Sequence, residues 1–251
     1  MSQEIQRLQE LVDESGYIVF FGGAGVSTES GIPDFRSTDG LYHQQWRYPP
    51  EEILSHSFFY RDPEEFYRFY RAKLVCPDVR PNAAHRKLAE LERAGKLRAV
   101  ITQNIDGLHQ AAGSRCVLEL HGTTRRCYCT KCRAPCPTER VDFGQGVPRC
   151  EHCGGLVRPD VVLYGEGLSQ DVLSQAVHHL RRADLLIVGG TSLAVYPAAG
   201  LIDYFRGRHL VLLNRDATSR DSQAELVIRQ PIGQVLGQIR VNMPQGENYA
   251  D

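Results

Sequence analysis

Short aliphatic runs alternate with stretches of helical periodicity along most of the chain, and this alternation narrows the possible folds more than any other feature. The runs are YIVFF (17–21), LRAVIT (97–102), CVLEL (116–120), DLLIVGG (184–190), HLVLLN (209–214) and ELVIR (225–229). Between them, NAAHRKLAELERAG and SQDVLSQAVHHLRRA space apolar residues three and four apart, while YPAAGLIDYFRG and PIGQVLGQIR predict shorter helices. Strands that are apolar throughout need cover on both faces, so the pattern predicts an α/β fold with a parallel sheet between helices. In such sheets ligands sit beyond the carboxyl ends of the strands. A chain of 251 residues fits one large domain, or one with a smaller inserted module.

Two stretches interrupt the rhythm. Residues 37–80 are rich in aromatics and lack strand alternation, which predicts a helical excursion with a mobile loop. Residues 123–158 are rich in Cys, Arg and Pro and have no apolar period, so something other than a hydrophobic core must hold them. Eight cysteines are present, six of them within residues 127–153. The spacing Cys129-x2-Cys132, 17 residues, Cys150-x2-Cys153 is that of a zinc ribbon, in which four thiolates close a tetrahedron and leave no place for water. A structural zinc ion is therefore expected. Cys127, two positions from Cys129, has a poor bite and is left out, while Cys76 and Cys116 are expected to pack as small apolar residues.

Apolar residues make up 42% and charged residues 24%, ordinary for a globular protein with a real core. A formal charge of −1 gives no footprint for gripping a phosphate backbone, and no apolar run approaches a membrane-spanning length. The segment MSQEIQRLQELVDES reads as an amphipathic helix and not as a signal peptide, so a cytoplasmic address is expected.

The candidate chemistry lies at the strand ends. GGAGVSTESGIPDFRS (22–37) follows the first strand, and a helix starting near Val26 would aim free N–H groups at a pyrophosphate. GGTSLAVYP (189–197) and Asn214 end two further strands, and three polar strand ends on one sheet suit a dinucleotide. A hydride-transferring enzyme would have a second strand ending in an acidic residue soon after the first helix. Here the chain runs into GIPDFRSTDGLYHQQW, so the cofactor is bound on another plan. ITQNIDGLH ends a strand with Gln103, Asn104 and Asp106, and LELHG ends another with His121, a side chain that is mostly neutral yet basic near pH 7.

Together, GAGVSTESGIPDFRS, TQNID, HG, the paired Cys-x-x-Cys, RPDVVLYGE, GTSLAVYPA and LLN resemble, in content and order, the sirtuins, NAD-dependent protein lysine deacylases of compact bacterial type. The resemblance spans about residues 15 to 240. It implies a Rossmann-like NAD-binding domain formed by residues 1–36, 81–122 and 159–251. Residues 37–80 and 123–158 would then form a small domain of helical module and zinc ribbon.

The resemblance also implies roles for individual residues. Gly23, Ala24 and Gly25 would cradle the pyrophosphate of NAD, Arg36 would approach the phosphates, and Phe35 would guard the nicotinamide pocket. Ile105 and Asp106 would hold the nicotinamide carboxamide, and Gln103 and Asn104 the adjacent ribose. Gly190, Thr191 and Ser192 would meet phosphate or adenosine, Asn214 the adenosine ribose, and Ile232 the adenine. Val162, Gly165, Glu166 and Val195 would pair with an acyl-lysine peptide, partly as an added strand. His121 would act as general base, with Asn104 beside it as a second catalytic residue. The implied products are free lysine, nicotinamide and O-acyl-ADP-ribose, with acyl-lysine proteins or peptides as partners and a monomer as the expected state.

Desuccinylating relatives carry a Tyr-x-x-Arg pair where this chain has Tyr70 and Lys73. Lysine lacks the planar fork for a carboxylate, so acetyl and other uncharged acyl groups are expected. An NAD-dependent mono-ADP-ribosyltransferase is the alternative. A zinc-ribbon nucleic-acid binder is the remote one, since residues 123–158 carry an excess of four positive charges but no interleaved aromatics.

Overall fold

The structure, a computed structural model, describes residues 2–35, 40–43, 45–138 and 146–242. Six parallel strands form the main sheet in the order β3-β2-β1-β7-β8-β9. They are β1 (Ile18–Gly22), β2 (Leu97–Thr102), β3 (Val117–Glu119), β7 (Leu185–Gly189), β8 (His209–Leu213) and β9 (Leu226–Ile228). The order reverses between β1 and β7, which opens a crevice at their carboxyl ends.

Strand sequence and sheet cover agree residue by residue. In β1, Ile18 and Phe20 join one core while Val19 and Phe21 join the other, so every position is apolar. The first core is closed by α1 (Gln3–Glu14), α5 (Ala83–Arg93) and α8 (Ile232–Gly237). The second is closed by α7 (Gln170–Arg182) and a 3-10 segment, Ala198–Tyr204. The helices start where the caps lie: Ser2 Oγ accepts from Ile5 N, and Ser169 Oγ from Val172 N. Asn82 Oδ1 accepts from Ala84 N at 2.9 Å, while the Asn82 N–H is returned to His85 Nδ1.

The interrupting stretches join each other. Helices α2 (Pro50–Ile53), α3 (His56–Arg61) and α4 (Pro63–Lys73) bury Phe58, Phe59, Phe66, Tyr67, Phe69 and Tyr70 together with Leu163. Strands β4 (Gly122–Cys129), β5 (Pro135–Pro137) and β6 (Val157–Val161) form an antiparallel sheet in the order β5-β4-β6. The Tyr67 hydroxyl donates to the Val157 carbonyl and ties the two parts. A short helix, α6 (Leu108–Ala111), follows β2.

One expectation fails. No α-helix starts near Val26; two 3-10 turns, Ala24–Val26 and Thr28–Ser30, follow β1 instead. The cause is a close approach: Gly25 N donates to Gly190 O at 2.8 Å, and a Cβ on Gly25 would lie 2.8 Å from Gly190 Cα. The chain is drawn across the neighbouring strand end and cannot wind, and Gly31, at φ +89°, ends the second turn. The cradle is thus made of individual N–H groups and not of a helix dipole. YPAAGLIDYFRG does form the short helix expected of it, as a 3-10 segment over Ala198–Tyr204.

Candidate functional site

Loops from the carboxyl ends of the six main-sheet strands surround two adjoining cavities. One, about 450 Å³, lies over the reversal point and is lined by Ala24, Gly25, Gly190, Thr191, Ser192, Asn214 and Ile232. The other, about 540 Å³, runs toward the small sheet past Ile105, Asp106, Val162, Gly165, Glu166, Tyr70 and Lys73. Phe35, Gln103, Asn104, His121 and Val195 line both and mark the junction. Arg36 lies outside the described residues.

His121 stands at this junction with its tautomer fixed. Its Nδ1 lies 3.0 Å from the Gln103 carbonyl, which can only accept, so Nδ1 carries the proton and Nε2 keeps its lone pair. Burial lowers the pKa of the ring below the ordinary histidine value, with the Gln103 carbonyl partly opposing. The imidazole is therefore neutral at pH 7, with the basic lone pair on Nε2.

A polar chain sets the residues beside it. Asn104 Nδ2 donates to Ser27 Oγ at 3.0 Å, and Ser27 Oγ donates to Asp106 Oδ2 at 2.7 Å. The other Asp106 oxygen accepts from Leu108 N at 2.8 Å. The Ile105 carbonyl accepts from both Thr124 N (2.8 Å) and Thr124 Oγ1 (3.0 Å), which clamps the loop to β4. Ser27 sits within the glycine-rich stretch, and only its hydroxyl type hinted at this task.

The backbone of the cradle fits a pyrophosphate chemically. A Cβ on Gly23 would fall 2.8 Å from Thr191 Cβ, and one on Gly190 would fall 2.3 Å from Val26 N. These glycines let two loops interlock, and Gly23 itself lines neither cavity. The N–H groups of Ala24 and Ser192, both in the cavity wall, have no partner among the described residues. The loop after β7 is held by Asn214, whose Oδ1 accepts from Thr191 N at 3.0 Å.

On the second cavity, Val162 N donates to the His121 carbonyl at 2.9 Å, and Tyr164 N to Leu54 O at 2.9 Å. Glu166 is occupied by Arg158 at 2.5 and 2.6 Å and by Leu163 N at 2.8 Å. Burial opposes the charge, but these donors hold the carboxyl below its ordinary pKa. Gly165 N has no partner among the described residues, so a backbone donor stands open on this wall. Tyr70 belongs to the aromatic core at 1% exposed, and burial raises its hydroxyl pKa. Lys73 Nζ lies 5.9 Å from the Trp46 ring centre.

The four ribbon cysteines converge. The sulfurs of Cys129, Cys132, Cys150 and Cys153 all lie within 4.8 Å of one another, with closest approaches of 3.5 and 3.8 Å. Zinc–thiolate bonds of about 2.3 Å in a tetrahedron require sulfurs about 3.8 Å apart, so the set fits zinc. Cys127 turns away to the Cys136 carbonyl. Cys76 and Cys116 are half-buried rather than core residues. Several ribbon cations are engaged: Arg126 with Glu119 and Asp160, Arg158 with Glu166, and Arg133 over the Tyr128 ring.

A reversing parallel sheet with a glycine cradle, a half-buried neutral imidazole and a four-thiol ribbon defines a dinucleotide-binding α/β protein with a structural metal. The Sir2 family model matches residues 23–197, and the chain belongs to the Sir2 family, the sirtuins. The NAD-dependent protein deacetylase of Clostridium perfringens (strain 13 / Type A) is 55% identical over 242 residues, 95% of this chain and 99% of that protein. The enzyme of the same description from Cutibacterium acnes is also 55% identical over 242 residues, with the same coverage. A solved structure of Sir2 with a p53 peptide and NAD+ is 42% identical, covers 94% of this chain and 96% of its own, and has a TM-score of 0.83. Another, with deacetylated p53 peptide and 3′-O-acetyl ADP ribose, has a TM-score of 0.86 at 41% identity over 93% of this chain and 96% of its own.

Proposed function

We propose that this chain is an NAD-dependent protein lysine deacetylase that releases nicotinamide and transfers the acyl group to ADP-ribose. The observation that carries the reading is the neutral His121, its Nε2 lone pair at the junction of a dinucleotide-sized cavity and an apolar one. NAD, when bound, supplies the ribose carbon that loses nicotinamide and the hydroxyls that receive the acyl group.

The chain's own residues do the rest. The Ala24 and Ser192 N–H groups bind the pyrophosphate, and Asn214 and Ile232 the adenosine end. Ile105 and Asp106, fixed by Ser27 and Thr124, hold the carboxamide, while Gln103 and Asn104 orient the ribose. Phe35 keeps water from the reacting carbon. His121 Nε2 accepts a proton from a ribose hydroxyl, freeing that oxygen to attack the acyl carbon. Gly165 and Val195 receive the peptide as an added strand. No helix among the described residues is long and apolar enough to cross a membrane.

The test is an acetyl-lysine peptide with and without NAD, following nicotinamide and peptide mass together. Stoichiometric nicotinamide release and acetyl loss support the reading. A stable ADP-ribose adduct on protein without acetyl loss would favour the ribosyltransferase instead. Faster turnover of succinyl-lysine than acetyl-lysine would overturn the preference for uncharged acyl groups.

A further inference from the structure

The hydroxyls of Tyr42 and Tyr164 are hydrogen-bonded to each other, and both residues line the first cavity. Neither ring is a core residue; Tyr164 is 40% exposed. The bond joins two walls that are distant in sequence.

Tyr164 is held on the peptide side. Its N–H donates to Leu54 O and its carbonyl accepts from His56 N, each at 2.9 Å. The next residue, Gly165, carries a backbone N–H with no partner among the described residues, and Glu166 after it is fixed by Arg158. Tyr42 is held on the cofactor side. Its N–H donates to the Phe35 carbonyl at 3.0 Å, and its ring meets Phe35 edge-on with centres 5.8 Å apart. Phe35 stands at the junction of the two cavities. A physical path therefore runs from the segment that takes the peptide, through one hydroxyl pair, to the ring that shields the reacting ribose.

We propose that Tyr164 is a positioning residue: through its hydroxyl bond to Tyr42 it aligns Phe35 at the junction, so that NAD cleavage is coupled to acyl transfer. This rests on the deacetylase reading above. The peptide does not touch Phe35 through this path. Its docking at Gly165 favours the bonded arrangement of the two tyrosines, and that arrangement favours the shielding position of the ring.

The test uses the full chain and its Tyr164→Phe, Tyr42→Phe and doubly substituted forms, with NAD and an acetyl-lysine peptide. Each substitution removes one hydroxyl and keeps the ring. Each single variant is expected to lower the yield of deacetylated peptide per nicotinamide released by about fivefold, the equilibrium weight of one ordinary hydrogen bond. Dissociation constants for NAD and for peptide both rise, because a coupling between two sites is reciprocal. The double variant behaves as either single, because the bond is already gone. An unchanged product ratio, or single effects that multiply in the double variant, overturns the proposal. So does a lowered melting temperature with equal loss of both reactions, which would make the pair merely structural. A parent chain that leaves NAD intact in the presence of peptide sinks the deacetylase reading itself, a result distinct from these.

Discussion

His121 donates a hydrogen bond from Nδ1–H to the Gln103 carbonyl and keeps Nε2 as a base, and burial favours the neutral ring. Removing one general base typically costs about 10²–10⁴ in rate. His121→Ala is therefore expected to lose turnover by that factor while its melting temperature and NAD binding stay close to the parent. Because the folded pKa lies below the ordinary value, kcat/KM should hold through neutral pH and fall only on the acid side of it. A rate profile against pH checks this, and an acid limb above the ordinary histidine pKa would contradict the geometry. Two other histidines carry stability rather than chemistry. His85 and His109 are buried with ring centres 4.7 Å apart, and neither His109 nitrogen has a hydrogen-bond partner among the described residues. Burial lowers them to about 4 and about 3 respectively. Both rings are neutral when folded and protonate more readily when unfolded. Their stabilisation is thus present above the ordinary pKa of 6.5 and is lost as pH falls toward the folded values. Each can steepen the loss by up to about 1.4 kcal/mol per pH unit. His109→Phe should flatten the acid limb of urea-unfolding stability, and an unaltered slope would show that His109 does not titrate on unfolding.

Elements were legible in the sequence where burial alone decides them. The runs in β1, β7 and β8 are continuous because alternate residues enter opposite cores, and a pattern so forced can be read without a structure. β4 was not legible. Its burial alternates irregularly around Arg125 and Arg126, and four sulfurs beside it replace the missing apolar face. The turns after β1 were misread as a helix because their cause, Gly25 against Gly190, lies between residues far apart in sequence. Strand-end clusters placed Asn104 and His121 at the junction, since topology delivers strand ends to one edge. Ser27 and Tyr164 make their hydrogen bonds to partners remote in sequence, which no local pattern reveals. α1 shows the same dependence on remote groups. Its last turn has no basic residue of its own, and Lys96 Nζ donates instead to the carbonyls of Val12, Asp13 and Ser15, the latter two at 2.8 and 2.9 Å. A cation there satisfies orphan carbonyls and the negative end of the helix dipole. Lys96→Met should cost about 1–2 kcal/mol in urea unfolding with turnover unchanged below the transition. Loss of less than a few tenths would mean that water serves these carbonyls equally well.

At the scale of the molecule, two bodies meet at the reaction centre but are stabilised differently. The six-stranded sheet owns two hydrophobic cores, whereas the cluster around β4–β6 contains little beyond Cys127, Cys129, Cys150 and Val157. An apolar cluster that small cannot hold a three-stranded sheet, so metal binding must supply most of its folding free energy. β4 runs from Gly122, next to His121, to the ligand Cys129, and Thr124 within it clamps the Ile105 carbonyl. Loss of metal is therefore transmitted along one strand to the loop proposed to hold nicotinamide. Stripping zinc with a strong chelator should abolish deacetylation, and amide hydrogen exchange should show β4, β5 and β6 unprotected. β1, β7 and β8 should keep their protection, because their cores do not depend on the ribbon. Ala24, Ser192 and Asn214 lie on that surviving sheet, so NAD should still bind, with the nicotinamide end loosened. Calorimetry on the stripped chain would then give weaker uptake of NAD but nearly unchanged uptake of ADP-ribose, which lacks the nicotinamide. Equal weakening of both ligands, or loss of protection in β1 together with β4, would show that the two bodies fold as one cooperative unit and that the metal supports the whole sheet.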